Sequence, residues 1–342
     1  MVDLSQYTQT AANWREQIRK NQSKSRQVVI LFILLYAVVG IVVDVLIYNA
    51  ATGAPPELIL KALFTGKIWP YATLSMAGVA CLSLLITYAF YDKIMLMGTE
   101  YHEITSDATD LQEKQLYNVV EEMKVAAGLQ FLPKIYLIDA DYMNAFASGF
   151  SEKSAMVAIT RGLLAKLDRN ELQAVMAHEL SHIRHLDIKL TLTVAILTNL
   201  MLMVVDIIFY NLIFGGRRKV DQSVLIIAIA LRYGLPLITV LLTLYLSRTR
   251  EYMADAGCVE LMRNNEPLAR ALLKIQDDHE KNHDEYRKQY GQTAHEEVRR
   301  AAYLFDPVKA GIEPVHNISS LFSTHPTIAD RLKAIGFKLK GK

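Results

Sequence analysis

The sequence contains little cysteine, and its positive and negative charges nearly cancel. Its 342 residues include two cysteines, Cys81 and Cys258, which lie in very different contexts and cannot form a disulfide framework. A reducing compartment therefore fits best. The formal net charge is only +2, so no nucleic-acid partner is indicated. Internal repeats and low-complexity tracts are absent as well.

Apolar residues, in contrast, are abundant. They make up 52% of the chain, which is high for a soluble protein and directs attention to membrane segments. Residues 1–27 are polar and too long a stretch before the first apolar run for a cleaved signal peptide, so we expect them to remain as a cytoplasmic N-terminal segment. The lipid bilayer is thus the first partner that the composition indicates.

Four apolar runs divide the chain. The run 28–48 spans roughly 31 Å as a helix, the thickness of a bilayer core, and 68–91 carries aromatic residues at both ends. Residues 190–247 hold two further runs joined by a short polar tip, which predicts a hydrophobic helical hairpin. Soluble segments 92–189 and 248–342 flank this hairpin. The sequence predicts a mainly α integral membrane protein with four apolar helices, and a soluble domain with a small β-sheet, made in two parts from 92–189 and 248–342.

Segment 92–189 has readable local signals. An amphipathic helical pattern stops at Gly128. "KIYLID" and "AMVAIT" are predicted strands on either side of the turn-rich stretch "ADYMNAFASGF". Asn170 is the predicted cap of the following helix.

That following helix carries the most specific motif, "HELSH". His178 and His182 are four residues apart, so both imidazoles project from one helix face and could bind one Zn²⁺ ion. Glu179 lies beside the first histidine, where it could act on a metal-bound water as general base. The pattern H-E-x-x-H therefore indicates a catalytic zinc centre.

A catalytic zinc requires a third protein ligand. His185 lies about 10 Å beyond His178 along the helix, too far for the same ion, and is expected to be an ordinary helix-face residue. No other glutamate lies between Glu179 and Arg250. Glu251 is therefore the predicted third ligand, and Asp255, one turn later, could orient a ligand histidine through its other ring nitrogen.

The order of these features resembles the HtpX family of membrane zinc metalloproteases, relatives of the CAAX prenyl proteases. The resemblance covers nearly the whole chain: two N-terminal spans, "HELSH", the hairpin and "SRTREYMAD". It implies zinc bound by His178, His182 and Glu251, with Glu179 as catalytic base.

The resemblance also implies roles for more weakly marked residues. The stretch around Asn144 and Ala145, with the strand Met156 to Thr160, would hold the substrate backbone as an added strand. His325 and Arg331 would either stabilise the oxyanion or serve a structural role. Asp187 would support the catalytic helix from behind.

The expected reaction is peptide-bond hydrolysis, and the expected substrates are membrane proteins or unfolded polypeptides. His182 and Glu251 flank apolar runs closely, which places the metal near the membrane surface and makes quality control a sensible role. One alternative is an inactive membrane scaffold with a structural zinc, against which Glu179 speaks. Another, a transporter, would carry its ligands inside the apolar runs.

The positions of lysine and arginine predict the orientation. Ten flank the spans on the N-terminal side, namely Arg15, Arg19, Lys20, Lys24, Arg26, Lys93, Arg184, Lys189, Arg248 and Arg250. Five flank the other side, namely Lys61, Lys67, Arg217, Arg218 and Lys219. This predicts a multi-pass protein of the inner (plasma) membrane with its catalytic domain in the cytoplasm. The basic hairpin tip argues the other way, and leaves open whether residues 190–247 cross the bilayer fully.

Two charged features of the sequence belong to no recognised motif. Asp206 and Arg232 interrupt the hairpin arms at nearly the same depth, which predicts an ion pair that fixes the register bringing Glu251 to the histidines; the alternative is that each faces water alone. The charged stretch 277–300 is expected to be a solvated helix rather than a lid or a partner site.

Overall fold

The structure is a computed structural model that describes residues 4, 7–9, 13–96, 99–149, 151–214, 222–292, 303–305 and 325–339. Most of these residues are helical. The helices are α1 Trp14–Thr52, α2 Pro56–Phe64, α3 Tyr71–Leu96, α4 Leu111–Ala127, α5 Arg161–Lys166, α6 Arg169–Arg184, α7 Asp187–Phe214, α8 Gln222–Met262, α9 Glu266–Lys281, α10 His283–Gln292 and α11 Ile328–Ala334. The strands are β1 Tyr7–Gln9, β2 Tyr101–Ile104, β3 Lys134–Ile138, β4 Ala145–Ser148, β5 Met156–Thr160 and β6 Phe337–Leu339.

The chain folds into two compact units. One comprises Arg26–Ala89 and Thr191–Thr243, and the other comprises Met1–Ser25, Phe90–Leu190 and Leu244–Lys342. The first unit contains most of the apolar runs, and the second contains the "HELSH" stretch and Glu251. The predicted class, a mainly α membrane protein with a small sheet, is confirmed, whereas the exact bounds of the predicted segments stay predictions.

Three helices within the described residues are long and apolar enough to cross a bilayer: they lie in Trp14–Thr52, Thr193–Phe214 and Leu225–Met262. A fourth apolar helix, Tyr71–Ile86, is shorter. The first helix begins well before the apolar run at residue 28, so part of the polar N-terminal segment continues the first span as one helix.

Asp44 lies in an otherwise apolar stretch of α1 and is buried. Its carboxylate accepts hydrogen bonds from the backbone N–H groups of Ala72 and Thr73, at 2.7 and 3.0 Å, and from the Thr73 hydroxyl. These N–H groups open the first turn of α3 and have no partner within that helix. An anion at a helix N-terminus is stabilised by the helix dipole, which explains why α1 tolerates this residue.

The predicted ion pair of the hairpin is present. Arg232 Nε lies 2.6 Å from Asp206 Oδ1, and both side chains are partly exposed. Because each lone charge in a bilayer costs at least about 2.5–3.5 kcal/mol, pairing relieves a large part of that cost. The prediction of a cross-arm contact is confirmed.

A double-mutant cycle measures what this pair contributes. We expect Asp206→Asn and Arg232→Gln each to lower the yield of folded, metal-loaded protein, because each leaves one charge unpartnered. The double variant should lose less than the sum of the two, with a coupling of about 0.5–3 kcal/mol in the free energy of unfolding in detergent. Strictly additive losses would contradict the pairing.

The sheet of the second unit has the strand order β2-β3-β5-β4. β3 and β5 run parallel, whereas β2 and β4 are antiparallel to their neighbours. β3 and β5 are the two predicted strands. β4 lies inside the stretch expected to consist of turns, and all four of its residues are buried. It forms one edge of the sheet.

Helix α6, which carries "HELSH", begins at a different residue from the prediction. Its N-cap is Asp168 rather than Asn170: the Asp168 side chain accepts a hydrogen bond from the N–H of Glu171, and the Glu171 side chain accepts one from the N–H of Asp168. This reciprocal capping box satisfies two backbone donors, which Asn170 inside the first turn could not do. The predicted stop of α4 at Gly128 is confirmed, since Gly128 adopts the left-handed conformation with φ +70°.

The charged stretch 277–300 is described up to residue 292, and there it is helical. It is not simply a solvated helix, because Tyr286, Tyr290 and His279 are buried. Their rings pack together and against Tyr142 of the segment preceding β4. Helix α10 therefore packs against the segment that precedes β4. Residues 293–300 lie outside the described residues.

Candidate metal centre

The metal-binding candidates of α6 lie on its buried face. His178 and His182 are buried, and their Nε2 atoms lie 3.1 Å apart. One helical turn separates them, as the spacing predicts. Both rings therefore point their Nε2 atoms at a common point.

Glu251 closes the cluster from helix α8. Its Oε2 lies 3.7 Å from His178 Nε2 and its Oε1 lies 3.6 Å from His182 Nε2. Two ligands of one tetrahedral zinc ion, each about 2.0–2.1 Å from the metal, would be separated by roughly 3.4 Å. The three side chains are buried and fit a single metal ion by this criterion, with their ligand atoms all within 4.8 Å of one another.

Close packing of α8 on α6 brings Glu251 to the histidines. A Cβ atom at Gly257 would lie 2.5 Å from the Ser181 hydroxyl, so only glycine permits this approach. One residue later, the Cys258 thiol donates to the carbonyl oxygen of Ala174 at 3.2 Å. The lone buried cysteine thus has a packing role between the two helices.

Each histidine is oriented by a carboxylate on its other ring nitrogen. Asp255 Oδ1 lies 3.0 Å from His178 Nδ1, and Asp187 Oδ2 lies 2.8 Å from His182 Nδ1. A proton shared at Nδ1 leaves each Nε2 lone pair available to a metal. Asp255 stands where the sequence placed it. Asp187 is in direct contact with His182, a closer involvement than support from behind.

The contact of Asp187 depends on a break between two helices. Helix α6 ends at Arg184, and Leu186 takes the left-handed conformation with φ +54°. This turns the chain so that Asp187, the first residue of α7, faces back towards His182. Arg250 lies 3.6 Å from Asp187 and balances its charge.

The field within the site suits a cation. Burial lowers the pKa of His178 and favours its neutral form. For His182, burial acts in the same direction, but the hydrogen bond to Asp187 and the charge of Glu251 outweigh it and raise the pKa. Burial also opposes ionisation of Glu251, but His325 and Arg331 hold its pKa well below the usual value. The negative potential that raises the proton affinity of His182 equally favours a metal ion.

Glu179 differs from the other carboxylates of the site. Its side chain is buried, and no side chain in the described part of the chain donates a hydrogen bond to it, while the backbone N–H of Ala147 in β4 favours its charged form less than burial opposes it. Burial raises the pKa of Glu179 to about 8. A buried carboxylate that no side chain pairs with is costly, which is characteristic of a group kept for chemistry.

Arg331 lies at the centre of the buried charges and is fully shielded from solvent. It donates through Nε and Nη2 to the two oxygens of Asp255, at 2.9 and 2.6 Å. Its Nη1 lies 3.5 Å from Glu251 Oε2, and His325 Nδ1 lies 3.4 Å from the same oxygen. The sequence did not foresee that Arg331 would be engaged with Asp255, and through it with His178.

Asn144 and Ala145 lie at the start of β4, and Asn144 is fully buried. The side-chain amide of Asn144 forms hydrogen bonds with the backbone of Phe305, and the carbonyl oxygen of Ala145 accepts one from the N–H of Leu304. His185 lies apart from the cluster as the C-terminal cap of α6, in agreement with its exclusion from the ligand set.

Comparison with known proteins gives a consistent result. The sequence model of peptidase family M48 matches residues 110–337. A "Protease HtpX homolog" of Helicobacter acinonychis is 39% identical over 94% of this chain and 98% of its own length, and one of Helicobacter pylori is 40% identical over the same shares. Among solved structures, the crystal structure of Ste24p from S. mikatae aligns with 97% of this chain and 68% of its own, at 16% identity and a TM-score of 0.47.

The sequence identity and the coverage of the two Helicobacter relatives show the family. They cover the apolar helices as well as the metal centre, and the M48 match contains "HELSH", Glu251 and Arg331. The chain therefore belongs to peptidase family M48 and, within it, to the HtpX proteases.

Proposed function

We propose that this protein is a membrane-bound, zinc-dependent endopeptidase with one zinc ion per chain. The observation that carries the proposal is the convergence of His178, His182 and Glu251, with Glu179 beside them. These three would hold the ion, which when bound would polarise a carbonyl group and acidify water. Asp255 and Asp187 fix the tautomers of the two histidines.

Glu179 is the proposed general base. Its burial disfavours the charged form, so it is able both to accept a proton and to return it. It takes the proton of the attacking water and delivers it to the leaving amine. A purely structural metal would need no such residue.

Arg331 and His325 are proposed to hold the carboxylates of the site in place. Arg331 holds Asp255 by two parallel hydrogen bonds, a geometry that fixes orientation as well as charge. Through Asp255 it positions His178. Its Nη1 atom also donates to a backbone carbonyl, that of Leu304, so it can contact a polypeptide directly.

The proposed substrates are membrane proteins and unfolded polypeptides, cleaved on the cytoplasmic side of the inner membrane. The helix that carries Glu251 is continuous with an apolar run, and lysine and arginine are more frequent on the side of the termini. Cleavage of loops and unfolded edges of damaged membrane proteins, a form of quality control, fits this arrangement.

Cleavage with and without a zinc chelator tests the proposal. We expect the purified protein in detergent to cleave casein and an unfolded membrane protein, to lose this activity with the chelator, and to recover it when zinc is returned. Cleavage that persists after the metal has been removed would contradict it. Bound zinc with no cleavage of either substrate would favour a structural metal in a scaffold.

A further inference from the structure

The outer edge of β4 is covered by residues 303–305 of the same chain. Phe146 and Tyr303 are partners in an antiparallel bridge, and the N–H of Leu304 donates to the carbonyl oxygen of Ala145 at 2.8 Å. The other edge of β4 pairs with β5. Residues 303–305 thus stand where a further strand would add to the sheet.

The side chain of Asn144 binds the backbone of Phe305, the residue after Leu304. Its Nδ2 donates to the carbonyl oxygen of Phe305 at 3.0 Å, and its Oδ1 accepts from the N–H of Phe305 at 3.2 Å. The same side chain also contacts the hydroxyl of Tyr290 at 3.1 Å. A side-chain amide that pairs with both backbone groups of one residue recognises extended chain of any sequence.

The segment is also next to the metal centre. Arg331 Nη1 donates to the carbonyl oxygen of Leu304 at 2.9 Å and lies 3.5 Å from Glu251 Oε2. One guanidinium nitrogen therefore bridges the segment and a proposed zinc ligand. An extended substrate bound for cleavage must place a carbonyl group in this neighbourhood.

The side chains of the segment are large and apolar. Tyr303 packs edge-on against Phe146 and against Tyr290, and Phe305 packs against His279. Tyr303, Leu304 and Phe305 are all buried. The groove that receives them therefore accommodates large apolar residues, the kind that folded proteins bury and unfolded ones expose.

We infer that residues 303–305 occupy the substrate-strand position, and that the protein inhibits itself until an extended peptide displaces them. This rests on the proposed function and deepens it. Backbone pairing along β4 gives affinity, and the apolar groove selects extended segments rich in large apolar residues. Such selection directs the enzyme to unfolded chains, and the segment protects folded neighbours from the site.

A reversible crosslink tests the inference. Phe146→Cys and Tyr303→Cys, combined in a Cys81→Ser background, place two cysteines at bridge partners whose Cα atoms should be about 4.5–5.5 Å apart, within the range of a disulfide. We expect oxidation to lock the segment and to lower cleavage of a fluorogenic peptide at least tenfold, and reductant to restore it. Each single-cysteine variant should not respond to reductant.

Binding gives a second readout that does not depend on catalysis. In a Glu179→Gln background, a labelled peptide of sequence AAYLFDPV, that of residues 301–308, should bind the reduced double-cysteine protein and be excluded from the oxidised one. The matched peptide AAYPFDPV lacks the N–H that meets Ala145 and should bind at least tenfold more weakly.

The outcomes separate the two proposals. If oxidised and reduced proteins bind and cleave alike, or if no disulfide forms in folded protein, residues 303–305 do not block the groove and the inference is overturned. If binding responds to oxidation but the reduced protein cleaves nothing, the inference stands and the proposed function fails.

Discussion

Replacement of Glu179 by glutamine should abolish proteolysis while the metal content stays near one zinc ion per chain. Glutamine has the size of glutamate but cannot take a proton from water. Loss of a positioned general base typically costs about 10²–10⁴-fold in rate. Because Glu179 is not one of the three converging ligand side chains, the metal should remain bound. The measurement is peptide cleavage together with metal analysis of the same preparation.

The matched control is Glu122→Gln. Glu122, in helix α4, pairs with Arg169 of α6, the helix that carries Glu179. Both side chains are largely exposed, so this pair should contribute little to stability. The control variant should cleave like the wild type. If Glu179→Gln retained activity within tenfold of the wild type, Glu179 would not be the base.

Replacement of Glu251 by alanine should remove the metal, whereas His185→Ala should keep it. Glu251 supplies the only carboxylate of the three-residue cluster, and its loss would leave two histidines for the ion. The affinity for zinc should fall by more than the roughly 10–100-fold that loss of an outer partner costs. His185 caps α6 outside the cluster, so its loss should change packing alone.

Glu260→Ala is the control for Glu251→Ala on the same helix. Glu260 pairs with Arg184 at 3.1 Å near the surface, so this variant should keep its zinc. Metal analysis of the three purified variants decides between the ligand sets. Zinc retained by Glu251→Ala and lost by His185→Ala would make the proposed set wrong.

The local geometry of the candidate site could be predicted from the sequence. The spacing of His178 and His182 determines their common face in any α-helix, and the lack of any glutamate between Glu179 and Glu251 made Glu251 the first candidate for the third ligand. The pairing of Asp206 with Arg232 was also predictable, because an antiparallel hairpin brings residues of equal depth together.

The sequence could not predict contacts that depend on irregular backbone or on distant segments. The approach of Asp187 to His182 requires the left-handed conformation of Leu186, which leucine rarely adopts and which no sequence pattern predicts. Strand β4 has three small residues and Phe146 among turn formers, and its pairing with β5 makes it a strand. The neighbour on its other edge lies more than 150 residues further along the chain.

The measurement that tests the central claim most directly is the dependence of peptide cleavage on bound zinc. The purified protein is stripped of metal, zinc is returned in steps, and cleavage and bound metal are followed together. We predict that cleavage rises in proportion to bound zinc and levels off at one ion per chain, while Glu179→Gln binds the same amount and cleaves nothing. Cleavage by the metal-free protein, or full cleavage by Glu179→Gln, would contradict the account.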